Sequence, residues 1–82
     1  MKNIRIYQYQ RGNHSIDHVI ARGNVIFEGN AKQAKAEISR LKKQAKNKWL
    51  NTSTEDSLAE FVQYELDDLW VVDMDTRDYY RG

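Results

Sequence analysis

The chain has no cysteine, no proline, only four glycines, and no apolar run near the length of a membrane span. Without cysteine there is neither a disulfide framework nor a thiolate metal site. Without proline, helix ends and turns rely on Gly, Asn, Ser and Thr. Crossing a bilayer takes an apolar stretch of about 20 residues, and Met1-Lys2-Asn3-Ile4-Arg5 does not open an apolar leader segment. The expectation is a cytoplasmic protein with no membrane partner. The 82 residues predict one small domain, 1–82. A chain this short buries roughly 60–65% of the surface its unfolded form exposes, so its core is small. Hydrophobic residues at 40% and charged residues at 30% suit a folded chain rather than a disordered one.

Charge is abundant and unevenly placed. Residues 1–50 hold 11 Lys/Arg against 3 Asp/Glu, a balance of +8, while residues 51–82 hold 2 against 9, a balance of −7. The formal net charge of +1 conceals this split. Such asymmetry marks either a partner-facing surface or two halves that neutralise each other on folding.

Asn3–Gln10 has the period of two expected of a strand. Ile4 and Ile6 point one way; Arg5, Tyr7 and Tyr9 point the other. Arg11-Gly12-Asn13 reads as a hairpin turn, because Gly and Asn tolerate positive φ. The β-branched Ile16–Ala21 predicts a second strand. Arg22-Gly23-Asn24 repeats the turn signal, and Val25-Ile26-Phe27 predicts a third strand. Three strands with such turns make an antiparallel meander.

A long amphipathic helix follows, from the N-cap candidate Asn30 to about Trp49. Ala31, Ala34, Ile38, Leu41, Ala45 and Trp49 form its apolar stripe, and Lys32, Lys35, Lys42, Lys43 and Lys46 fall on an adjoining arc of about 100°. Thr52 with Glu55, or Ser53 with Asp56, has capping-box spacing and predicts a second helix over about Glu55–Asp67. Its apolar stripe is Leu58, Phe61, Val62, Leu66 and Leu69, and Glu65 intrudes on that stripe. Trp70–Met74 predicts a strand, with Trp70, Val72 and Met74 facing the core and Asp73 and Asp75 facing solvent. Residues 76–82 read as a frayed tail. The predicted fold class is α+β, β-β-β-α-α-β: a two-layer domain in which two helices cover one face of the meander plus a C-terminal strand.

Catalytic constellations are sparse. On a strand, His14 and His18 share a face roughly 13 Å apart, too far to hold one metal ion. Asp73, Asp75 and Asp78 lack the glycine and the terminal glutamate of a calcium loop. Ser15 sits beside His14 and Asp17, but neighbours on a strand face opposite ways and build no triad. The expectation is no metal, no cofactor and no enzymatic activity.

Two surfaces remain as binding candidates. Asp56, Glu60, Asp67, Asp68, Asp73 and Asp75, with Tyr7, Tyr9 and Tyr64, combine acid and aromatic groups as a protein-binding surface does. Lys32, Lys35, Lys42, Lys43 and Lys46 suit a nucleic-acid backbone, with tyrosines on the open sheet face to stack bases. In size and charge character the chain resembles small inhibitors carried by phages and mobile elements, anti-CRISPR and other anti-defence proteins among them, with no family motif behind the likeness. That resemblance implies a non-enzymatic protein-binding inhibitor that docks on a protein or nucleoprotein complex and occludes its nucleic-acid path. The alternatives are a nucleic-acid-binding domain using the lysine helix, and an oligomeric accessory module.

Overall fold

Strand β1 (Ile4–Gln8) runs through the middle of the molecule, and its alternation sends side chains into two different cores. The structure, a computed structural model, describes residues 3–81. The order continues with α1 (Ile16–Arg22), β2 (Asn24–Gly29), α2 (Ala31–Leu50), α3 (Leu58–Leu66), β3 (Leu69–Asp73) and β4 (Tyr79–Arg81). All the strand pairs are antiparallel, and the sheet order is β2-β1-β3-β4. The fold is α+β, as the residue pattern predicts, but the meander is not formed.

The correction lies at residues 16–21. They form helix α1 rather than a strand. Ile16, Val19 and Ile20 are spaced i, i+3, i+4, which is a helical stripe despite their β-branching. Ser15 caps the helix, its Oγ accepting from the His18 N–H at 3.2 Å. Gly23 ends it, its N–H donating to the Val19 carbonyl. A Cβ on Gly23 would stand 2.5 Å from that carbonyl oxygen and 3.1 Å from the Tyr7 ring, so only glycine fits the close approach.

The two-layer description fails for the same reason. On one face of the sheet, Ile4, Ile6, Leu69 and Val71 pack with Ala34, Ile38 and Leu66 of α2 and α3. On the other, Tyr7, Trp70 and Val72 pack with Val19 of α1. Four consecutive β3 residues, Leu69, Trp70, Val71 and Val72, are therefore all buried. Trp70 and Val72 face α1, not the α2–α3 layer expected of them. Tyr7, expected on an open face, is only 2% exposed; its hydroxyl accepts from Arg5 Nη1 at 3.2 Å and meets Met74 Sδ at 4.0 Å.

Strand β2 carries a bulge. Ile6 pairs with Phe27 and Tyr7 with Val25, leaving Ile26 as the extra residue. The bulge lets Phe27 pack on the α2-side core while its neighbour Ile26 also lines a groove beside Leu41 of α2.

Helix α2 matches its expected limits closely. Asn30 accepts from the Gln33 N–H at 2.8 Å, and the Gln33 side chain accepts from the Asn30 N–H at 3.0 Å, a reciprocal capping box. Helix α3 is shorter than the sequence pattern suggests. Its cap is Ser57, whose Oγ accepts from the Glu60 N–H at 3.3 Å, not Thr52 or Ser53. Thr52 instead folds back, donating from Oγ1 to the Lys48 carbonyl at 2.7 Å. Residues 79–81, read as a tail, form edge strand β4 against Trp70–Val72, and Gly82 lies outside the described residues.

Helix α1 gives a direct test of this topology. Ser15→Ala removes the cap and is expected to cost about 1 kcal/mol in urea unfolding. Gly23→Ala is expected to destabilise the fold as well, through its clash with the Val19 carbonyl. A strand at 16–21 would leave Ser15→Ala nearly neutral.

Candidate functional site

The lysines of α2 belong to a helix whose inner face is tied down by Ala34, Ile38 and Ala45. That anchoring leaves Lys32, Lys35, Lys42, Lys43 and Lys46 exposed. From Lys32 to Lys46 the face spans roughly 21 Å at the rise of an α-helix. None of the five forms an ion pair among the described residues. The acids that do pair take other cations: Glu28 takes Arg5, Asp67 takes Arg11, Glu65 takes Lys48 and Asp17 takes Arg77. Among the described residues, therefore, no acid is ion-paired to the lysine arc. Glu65, the intruder on the apolar stripe of α3, sits at the rim, where Lys48 Nζ donates to it at 2.9 Å.

On the flank of α2 away from the lysine arc, Glu37 and Arg40 form the one ion pair internal to the helix among the described residues. Arg40 Nη2 donates to Glu37 at 2.9 Å. The Arg40 guanidinium holds the Glu37 carboxyl below the usual carboxylate range.

The acidic candidates are divided rather than gathered. Glu60, Tyr64 and Asp67 line one shallow cleft on α3 of about 300 Å³. There Arg11 stacks on Tyr64, its guanidinium carbon 3.5 Å from the ring centroid, and donates to the Tyr64 carbonyl at 3.0 Å. Asp56 precedes this helix, its carbonyl accepting from Trp49 Nε1 at 2.9 Å. Asp68 accepts from Gln8 Nε2 at 3.1 Å. Asp73 and Asp75 lie at the far end of β3. Asp73 Oδ1 accepts from the N–H of Asp75 at 2.9 Å and of Thr76 at 3.3 Å, so its carboxylate shapes the β3–β4 turn. Asp78 accepts from Thr76 Oγ1 at 3.1 Å in the same turn.

The tyrosines separate too. Tyr7 is buried and unable to stack a base. Tyr64 is 62% exposed beneath Arg11. Tyr9 is half-buried, and its hydroxyl lies 2.7 Å from His18 Nε2. A cluster missed by the sequence reading forms around it. Because residues 16–22 are helical, the His14 and His18 rings stack with centroids 5.7 Å apart, and both meet the Tyr9 ring edge-on. The helical spacing after Ser15 is the signal that brings these histidines together.

A groove of about 390 Å³ between the helices and the sheet has its charged groups engaged, Lys48 with Glu65 and Asp68 with Gln8. No described helix is long and apolar enough to cross a membrane. No protein family, curated protein or solved structure matches this chain.

The Glu37–Arg40 contact sets a pH dependence. A carboxyl held low in the folded state stabilises that state above its ordinary value near 4.3, and the contribution is lost as pH falls through the depressed one. Arg40→Gln is expected to return Glu37 towards the ordinary carboxylate range, as read by NMR titration of the side-chain carboxyl.

Proposed function

We propose that this chain is a small non-enzymatic binding protein whose docking surface is the lysine face of α2, and that it takes a nucleic-acid backbone. The observation that carries this reading is that, among the described residues, Lys32, Lys35, Lys42, Lys43 and Lys46 have no ion-pair partner. Their side chains lie on the exposed side of α2, whose buried face is Ala34, Ile38 and Ala45. Each phosphate neutralised releases condensed counterions, so binding draws on entropy and weakens with salt. Buried Tyr7 takes no part, and the contact is to phosphates rather than to bases. Sequence preference is therefore low.

A second reading has its own support. Tyr64, flattened under Arg11 and bordered by Glu60 and Asp67, combines a fixed aromatic ring with acids in the manner of a protein-docking surface. In that reading the chain is an inhibitor, of the kind carried by phages, that occludes a nucleic-acid-handling complex through α3.

Fluorescence anisotropy with labelled duplex DNA and RNA separates the two. Engagement of three to five lysines predicts a slope of about −3 to −4.5 in log affinity against log salt. Lys35→Glu, Lys42→Glu and Lys46→Glu together are expected to abolish binding, and Tyr64→Ala to leave it intact. Salt-independent binding, or binding that survives the triple change, overturns the backbone reading. Under the α3 reading, the intact chain binds neither nucleic acid and its inhibition is lost on Tyr64→Ala.

A further inference from the structure

Strand β2 ends the sheet, and the register of β1 shows which of its backbone groups face outward. On the β3 side, the Met74 N–H donates to the Asn3 carbonyl at 2.8 Å and the Tyr9 N–H to the Asp68 carbonyl at 2.9 Å. Backbone direction alternates along a strand, so Arg5 and Tyr7 also turn to β3, while Ile4, Ile6 and Gln8 turn to β2. Val25 and Glu28 stand opposite Tyr7 and Arg5. Their N–H and C=O groups therefore point away from β1, and among the described residues no backbone group meets them there.

Charge does not guard this edge. The six residues of β2 include neither Lys nor Pro, and their only charge, Glu28, is paired with Arg5. The opposite edge, β4, is only three residues long. On β2, Val25 is 42% exposed and Ile26 36%. The bulge at Ile26 discriminates among strands that could join here. It sets the outward-facing Val25 and Glu28 three residues apart, where a regular strand has two. A regular foreign strand cannot bond to both in register; a strand with the same bulge can.

We infer that β2 is a dimerisation edge, and that its partner is β2 of a second copy of this chain, antiparallel about a two-fold axis. The register sets Val25 opposite Glu28 of the second copy and Ile26 opposite its Phe27. Val25 and Glu28 of each chain then exchange N–H···O=C bonds with the other. The one charged residue of the strand meets an aliphatic side chain rather than its own copy. Val25 and Glu28 share the sheet face of Tyr7, so the valine packs on the glutamate stem on the α1 side. On the α2 side, Ile26 and Phe27 of the two copies meet around the axis. Both exposed apolar residues are thus covered at once. The axis is perpendicular to the sheet, so two four-stranded sheets merge into one of eight, with both α2 helices on the same side. The pairing does not depend on what α2 binds.

Sedimentation velocity on the full chain, from roughly 10 μM to 1 mM, covers the range of small, weak interfaces. The expected result is a shift to twice the mass of one chain with no larger species, because a two-fold contact closes on itself. Val25→Glu sets like charges opposite each other twice in the dimer and is expected to weaken it about tenfold or more. In case that chain fails to fold, amide hydrogen exchange on the unaltered chain provides a second reading. The Val25 and Glu28 amides are expected to gain protection as concentration rises and to lose it on dilution. A chain that stays monomeric to 1 mM leaves the edge to a foreign strand or to none, and overturns the proposal. Undiminished dimerisation of a folded Val25→Glu chain, or concentration-dependent protection at β4 instead of at Val25 and Glu28, overturns it equally.

Discussion

The pairing of β1 with β3, apolar on both faces, is the constraint on which the structure depends. Five residues of each strand are in register, from Ile4 against Asp73 to Gln8 against Leu69. Each strand sends alternate side chains to opposite sides, so a chain of 82 residues maintains two small cores instead of one. Ile6 and Val72 are fully buried on opposite faces. Neither face can be opened without exposing residues of the two central strands. The edge strands follow from this arrangement: β2 is half-open, and β4 has three exposed residues.

The same constraint shapes the charged surface. Helix α2 is long because a twenty-residue amphipathic stripe has a sheet to lie on. Its inner face is consumed by packing, and its flank and outer face keep the lysines. The acidic third is spent differently. Its carboxylates cap a turn at Asp73, hold Gln8 at Asp68, and pair with Arg11 and Lys48. Exposed ion pairs of this kind contribute little stability, about 0–1 kcal/mol each. They engage Asp67 and Glu65 away from the lysine arc, whose five lysines have no ion-pair partner among the described residues.

Much of this was legible in the residues. Asn30 announced the start of α2, and the three- and four-residue steps of Ala34, Ile38, Leu41 and Ala45 announced its buried face. The strands β1 and β3 were readable from alternation and from β-branched content. The second core was not, because residues 16–21 carry two conflicting signals. Their β-branching argues for a strand, whereas the Ser15 cap and the spacing of Ile16, Val19 and Ile20 argue for a helix. Tertiary packing on Tyr7 and Trp70 decides for the helix. Four further differences descend from that one. The meander, the exposed Tyr7, the single core face and the 13 Å separation of His14 from His18 all presuppose a strand there. The capping of α3 was misplaced because Thr52, Ser53 and Ser57 offer competing starts, and the back-bond from Thr52 to Lys48 removes the first of them. The division of the acids between α3 and the β3–β4 turn depends on where β3 runs, which no local pattern records.

Amide hydrogen exchange tests the two-core account most directly. If β1 and β3 are sealed on both faces, their mutually bonded amides exchange only through global unfolding, with a free energy equal to that of denaturant unfolding, while β4 opens at lower cost. Exchange of the β1 and β3 amides as fast as those of β4 would contradict the double-faced core.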